Sequence, residues 1–214
     1  MWSEGRRKPV MGEFKIVFFN RNILTACILS ITSSACWGFV EAFYPKHLSI
    51  ALGYHTGMIG ILFTIAMLVY APSRMVFGAL SDKVGRKPVM IVGILLSAII
   101  LPFISIANTF AIIAICLAIL FIAISQTYAA TFPLIADTVT FLKLKGEPYG
   151  AASGMMNLSW TLGFVIGPLT AGVIVEFLGL RGLCLIYALL LLTSALTGFL
   201  VIKEPKITEI SLQK

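Results

Sequence analysis

The chain has 214 residues, a mean hydropathy of +1.00 and 12% charged residues. Soluble domains carry about a quarter charged residues, so an ordinary soluble domain is excluded and an all-α integral membrane protein is expected. The formal charge of +7 does not point to a nucleic-acid partner, because the basic residues gather on one side of a membrane topology.

The apolar residues fall in blocks of about 20 or more, the length that crosses about 30 Å of hydrocarbon. No water satisfies the backbone there, so each block is expected to be a helix in the lipid bilayer. Six spans are predicted, over 22–44, 56–80, 88–107, 109–137, 149–178 and 181–202. A basic N-terminal tail, 1–21, precedes them and a tail, 203–214, follows. The first tail carries Arg6, Arg7, Lys8, Lys15 and Arg21; the connection after span two carries Lys83, Arg86 and Lys87. Lys143 and Lys145 follow span four, and Lys203, Lys206 and Lys214 close the chain. The opposite connections hold only Lys46 and Arg181. The positive-inside rule therefore predicts a multi-pass protein of the cell membrane with both termini cytoplasmic.

In span one, Ser30, Ser34, Trp37 and Glu41 share a face at 4-3-4 spacing. Glu41 reads either as a proton-carrying acid in an outward vestibule or as an interfacial acid near Lys46. Arg74, at the cytoplasmic edge of span two, either snorkels to the headgroups or meets a solute. Span four repeats the stripe with Gln126, Ala130, Pro133 and Asp137, the last expected at an inner gate or helix end. Span five offers Ser153, Asn157 and Trp160. Such polar stripes suit either a shared cavity or hydrogen bonding between packed helices. Span five also carries Gly154, Gly163, Gly167, Pro168, Ala171 and Gly172, a pattern that permits close helix approach, a bend at the proline, and gating.

Cys27, Cys36, Cys116 and Cys184 lack paired spacing and read as small buried hydrophobes, with no metal site. His47 and His55 both fall in the outer connection, no span pairs a Ser or Cys with a His, and no phosphate loop is present. Neither an enzyme nor a cofactor is expected.

Two motifs carry a resemblance. Residues 78–87 read G-x-L-S-D-K-x-G-R-K, and residues 154–172 read G-x8-G-x3-G-P-x2-A-G. Together they resemble the drug:proton antiporter branch of the major facilitator superfamily, with Ala171 where that branch has Gly. The run Trp37 to Pro45, with Tyr149-Gly150, looks like the second half of vesicular amine transporters. The resemblance implies six helices forming one half of a major facilitator fold. It also implies a cytoplasmic latch, in which Asp82 meets a helix N-terminus, Arg86 and Lys87 supply basic partners, and Gly78 and Gly85 allow close approach and a tight turn.

The implied function is alternating-access transport of a small organic, cationic or drug-like solute in exchange for protons, with Glu41 as coupling acid. The halves of such carriers are related by an axis along the membrane normal, so a homodimer or a separate second half is the expected partner. Two departures stand out: the family has twelve spans in two halves, and residues 118–130 lack the Arg usual in span four. The other reading is a non-transporting assembly or regulatory protein, or a truncated transporter product.

Overall fold

A computed structural model describes residues 19–141 and 148–202. The basic tails at 1–18 and 203–214, and the connection holding Lys143 and Lys145, lie outside the described residues. The described residues form five helices: α1 (Arg21–Leu52), α2 (Thr56–Val84), α3 (Arg86–Ile104), α4 (Phe110–Phe141) and α5 (Pro148–Val201). Each is long and apolar enough to cross a membrane.

The ends follow local chemistry. Asn20 caps α1, its side chain accepting from the Asn22 and Ile23 amides, and left-handed Gly53 (φ 67°) closes it. The His55 ring accepts from the Met58 amide at the start of α2. Gly85 alone separates α2 from α3; its φ of 109° is a conformation that residues with a Cβ avoid.

The expectation of six separate spans is corrected here. The segments predicted as spans five and six form one 54-residue element, α5, in which Gly179 departs from helical dihedrals (φ 64°, ψ −177°). The physical reason lies in how little chain the redirection needs. One glycine in a region closed to other residues turns the chain while helix continues on both sides. A straight helix of that length would run about 81 Å. Instead the Tyr187 hydroxyl donates to the Gly167 carbonyl at 3.2 Å and lies 2.6 Å from Thr170 Oγ1. The two arms of α5 therefore lie side by side, folded back at Gly179.

Burial ranks the helices. In its most apolar window α1 is 78% buried and α2 only 11%, so α1 is the axis and α2 the periphery. The partner that packs most extensively on α1 is α5. A Cβ on Gly163 would collide with Ser34 Oγ and the Ile31 carbonyl, and one on Gly167 with the Ala35 carbonyl. Reciprocally, a Cβ on Gly38 would fall 2.7 Å from the Phe164 carbonyl oxygen and 3.1 Å from the Pro168 ring. Backbone meets backbone at this crossing. A second close approach joins α3 to α4, where a Cβ on Gly93 would lie 2.6 Å from the Ala123 carbonyl oxygen. All four cysteines are free and buried.

The other motif glycines differ. Gly154 and Gly78 have open space where a Cβ would stand, and Gly172 meets only Phe43 at 3.6 Å. Gly167→Val is therefore expected to destabilise the fold by about 1–3 kcal/mol through overpacking. Gly154→Ala should stay within about 0.5 kcal/mol of the parent. Thermal unfolding of both variants in detergent checks the contrast, and equal midpoints would count against the crossing.

Candidate functional site

At the Gly85 end of the bundle, the chain places basic residues where a helix least favours them. Arg86 and Lys87 occupy the first turn of α3, whose exposed amides make that end electropositive. Two carboxylates offset this. Arg86 pairs with Asp82 in the last turn of α2, and its Nε lies 3.3 Å from Asp137 Oδ2 on α4. Arg86 Nη1 also donates to Ser81 Oγ at 2.7 Å. One guanidinium thus ties α2, α3 and α4 together. Lys87 turns the other way: its Nζ donates to the Ile202 carbonyl at 2.8 Å and sits 5.0 Å from the centre of the Phe199 ring. It tends the electronegative end of α5.

These contacts bring Asp82, Arg86 and Asp137 together, with Ser81 as a further member. They divide the two bases expected beside Asp82 between different helices. Asp82 lies within α2 rather than in a loop, since that helix runs to Val84.

Deeper in the bundle, Trp37 Nε1 donates to Glu41 Oε1 at 2.6 Å, the i, i+4 pair of the span-one stripe. The Trp37 ring contacts Tyr70 edge-on at 4.9 Å, and Phe121 and Tyr128 at 5.4 and 6.4 Å between centres. This aromatic cluster links α1, α2 and α4. Ser34 donates to the Ser30 carbonyl of its own helix, and the Tyr128 hydroxyl reaches that same carbonyl at 3.3 Å.

Beside the cluster lies a polar recess of about 450 Å³, walled by α2, α4 and the first arm of α5. Arg74, Tyr128, Phe132, Ser153, Met156 and Asn157 line it. Its size falls in the range of small-molecule sites, about 300–1,000 Å³. The Arg74 guanidinium interacts with the Tyr70 hydroxyl, one turn back on α2. Because α2 continues to Val84, Arg74 stands about 15 Å from the helix end.

The remaining expected residues are placed elsewhere. Gln126 is 5% exposed and packs where α4 meets Gly93 of α3. Trp160 stacks on Phe164 at 5.4 Å, is 38% exposed, and does not line the recess. The sequence reading missed Tyr70, Tyr128 and Phe132. For two of them the signal was present: Tyr128 and Phe132 are four residues apart on one helix face, beside the stripe through Gln126.

Five helices long and apolar enough to cross a membrane, among the described residues, define a multi-pass integral membrane protein. The chain matches the Major Facilitator Superfamily over residues 26–213 and belongs to that family. The MFS-type transporter SLC18B1 of Mus musculus is 27% identical over 176 residues, covering 78% of this chain and 38% of that protein. A putative proline/betaine transporter of Staphylococcus aureus is 27% identical over 159 residues, covering 73% of the chain and 33% of the relative. The multidrug transporter AQR1 of Candida glabrata is 25% identical over 146 residues, covering 66% and 24%. The chain thus spans less than half the length of these curated relatives. Family membership supports a non-catalytic role in transport.

Arg86→Gln removes both carboxylate contacts and should cost about 1–2 kcal/mol of stability. Asp82→Asn, at a largely exposed position, should cost less than about 1 kcal/mol. Chemical denaturation of the detergent-solubilised variants checks the ranking, and the reverse order would displace Arg86 from the centre of the cluster.

Proposed function

We propose that the chain is one half of a secondary active transporter that moves a small organic solute by alternating access. The observation that carries this reading is the recess walled by three membrane-length helices, with Arg74 and Asn157 in its lining. Polar and ionisable groups among membrane-spanning helices are costly and mark solute pathways. The recess is open, which leaves room for a second set of helices to face it.

In this reading Asp82, Arg86 and Asp137 form the latch at the cytoplasmic face, holding three helix ends until the solute-loaded state releases them. Gly163, Gly167 and Pro168 provide the pivot between α5 and α1. Glu41 is the proton-coupling acid: its carboxylate is held by Trp37, whose ring abuts Tyr70 and so the wall bearing Arg74. Proton antiport follows from the resemblance of residues 78–87 and 154–172 to antiporter motifs. The drug:proton branch and its vesicular amine-like second half supply the nearest pattern, with a cell-membrane location and cytoplasmic termini.

Reconstitution tests the reading directly. Proteoliposomes with an imposed proton gradient should accumulate solute, and chemical cross-linking in native-like lipid should trap an assembly. A stable monomer with no uptake would sink the transport reading in favour of an assembly or regulatory role. Asp82→Asn should lower uptake about tenfold at unchanged membrane insertion, by loss of one charged partner of Arg86. Glu41→Gln should flatten the pH profile of exchange while leaving solute binding intact; matching profiles for variant and parent would remove Glu41 from coupling.

A further inference from the structure

We infer that the recess takes an organic solute bearing a carboxylate, gripped by Arg74, rather than a simple organic cation. The inference rests on the transport reading for its physiological meaning, but its physical basis is a balance of charges. Four acidic residues lie among the described residues: Glu41, Asp82, Asp137 and Glu176. Glu41 is engaged by Trp37, and Asp82 and Asp137 are engaged by Arg86. Glu176 is three residues from the Gly179 bend, at the opposite end of the bundle from Asp82 and Asp137, and does not line the recess. Among the described residues, no carboxylate pairs with Arg74.

A guanidinium keeps its charge at any ordinary pH. Arg74 brings that charge to the lining of the recess. Headgroup snorkelling is a poor account of it, because the side chain lines the recess among Tyr128 and Asn157 and also interacts with the Tyr70 hydroxyl. Arg74 contributes the only formal charge among the residues that line this space. The recess is open and Arg74 is exposed in it, so its positive wall repels cations and attracts anions that enter.

The remaining lining gives the rest of the solute's outline. The planar fork of Arg74 matches the two oxygens of a carboxylate. Asn157 and Ser153 on the facing arm of α5 offer hydrogen bonds, and Tyr128 and Phe132 offer aromatic faces to an apolar body. Met156, flexible and polarisable, adapts to its shape. A small acid or zwitterion with a compact apolar or aromatic body fits this set. The tyrosine behind Arg74 positions the guanidinium without touching the solute.

Three probes of nearly equal body separate the charge classes: 4-hydroxybenzoate, 4-hydroxybenzamide and tyramine. Their binding to the full purified chain is measured by calorimetric titration. The carboxylate should bind about tenfold or more tighter than the amide or the amine. Arg74→Gln should abolish that preference. Arg74→Lys, which keeps the charge and loses the fork, should keep the preference at lower affinity and guards against misfolding of the glutamine variant. Equal binding of the three probes, a preference for tyramine, no detectable carboxylate binding, or a preference unchanged in Arg74→Gln would each overturn the inference. Carboxylate binding without uptake in proteoliposomes would leave Arg74 in place and fail the transport reading; tyramine uptake without carboxylate binding would do the reverse.

Discussion

The arrangement depends on the crossing of α1 with the first arm of α5, where Gly38, Gly163 and Gly167 let two backbones touch. In hydrocarbon the hydrophobic effect does not drive helices together; close packing and interhelical hydrogen bonds do. Contact this close fixes where α5 runs, and the turn at Gly179 then returns its second arm beside the first. Gly198 on that second arm also approaches α1, since a Cβ there would lie 2.8 Å from Leu29 Cδ2. The axis helix is thus held by both arms of one element. Its opposite side is left to the aromatic cluster, and the recess opens where α2 and α4 meet the first arm.

Charge is divided between two levels of this frame. At the Gly85 end, acids and bases neutralise one another across helix ends, and the macrodipoles of α3 and α5 decide which base goes where. Within the bundle, Glu41 and Arg74 are kept apart and each has neutral company. Trp37 donates to the acid, and Tyr70 lies beside the base. The first arrangement stabilises by mutual satisfaction. The second leaves charge available, which is what a solute path needs and a structural core avoids.

Much of this was legible in the sequence for a simple reason: apolar length and glycine spacing are local signals. The blocks predicted over 22–44, 56–80 and 88–107, and the Gly163-Gly167 pair, act through geometry that neighbouring residues determine, although the first two helices run on to Leu52 and Val84 and the third stops at Ile104. The element count was not legible. Gly179 resembles any loop glycine in sequence, whereas its effect depends on helix resuming at once on both sides. The site was legible only in part, because a face must be assigned before its polar residues mean anything. The stripe through Gln126 was a sound helical pattern, yet that residue packs toward Gly93 while the next face, with Tyr128 and Phe132, meets the recess. The pairing of Arg86 with Asp137 spans 51 positions, beyond any local reading.

The low burial of α2 gives the position of Arg74 its significance. It is the least buried helix, and its packing is concentrated on one neighbour, α4. Its side-chain ties include Tyr70 against Trp37 and Phe121, Phe63 against Phe121, and Asp82 against Arg86. Arg74 lies between the aromatic ties and the ionic one. A ligand that neutralises it acts on the element least anchored by the rest of the fold, flanked by the contacts that would have to change. A charge in α1, held on both arms of α5, would lack that leverage.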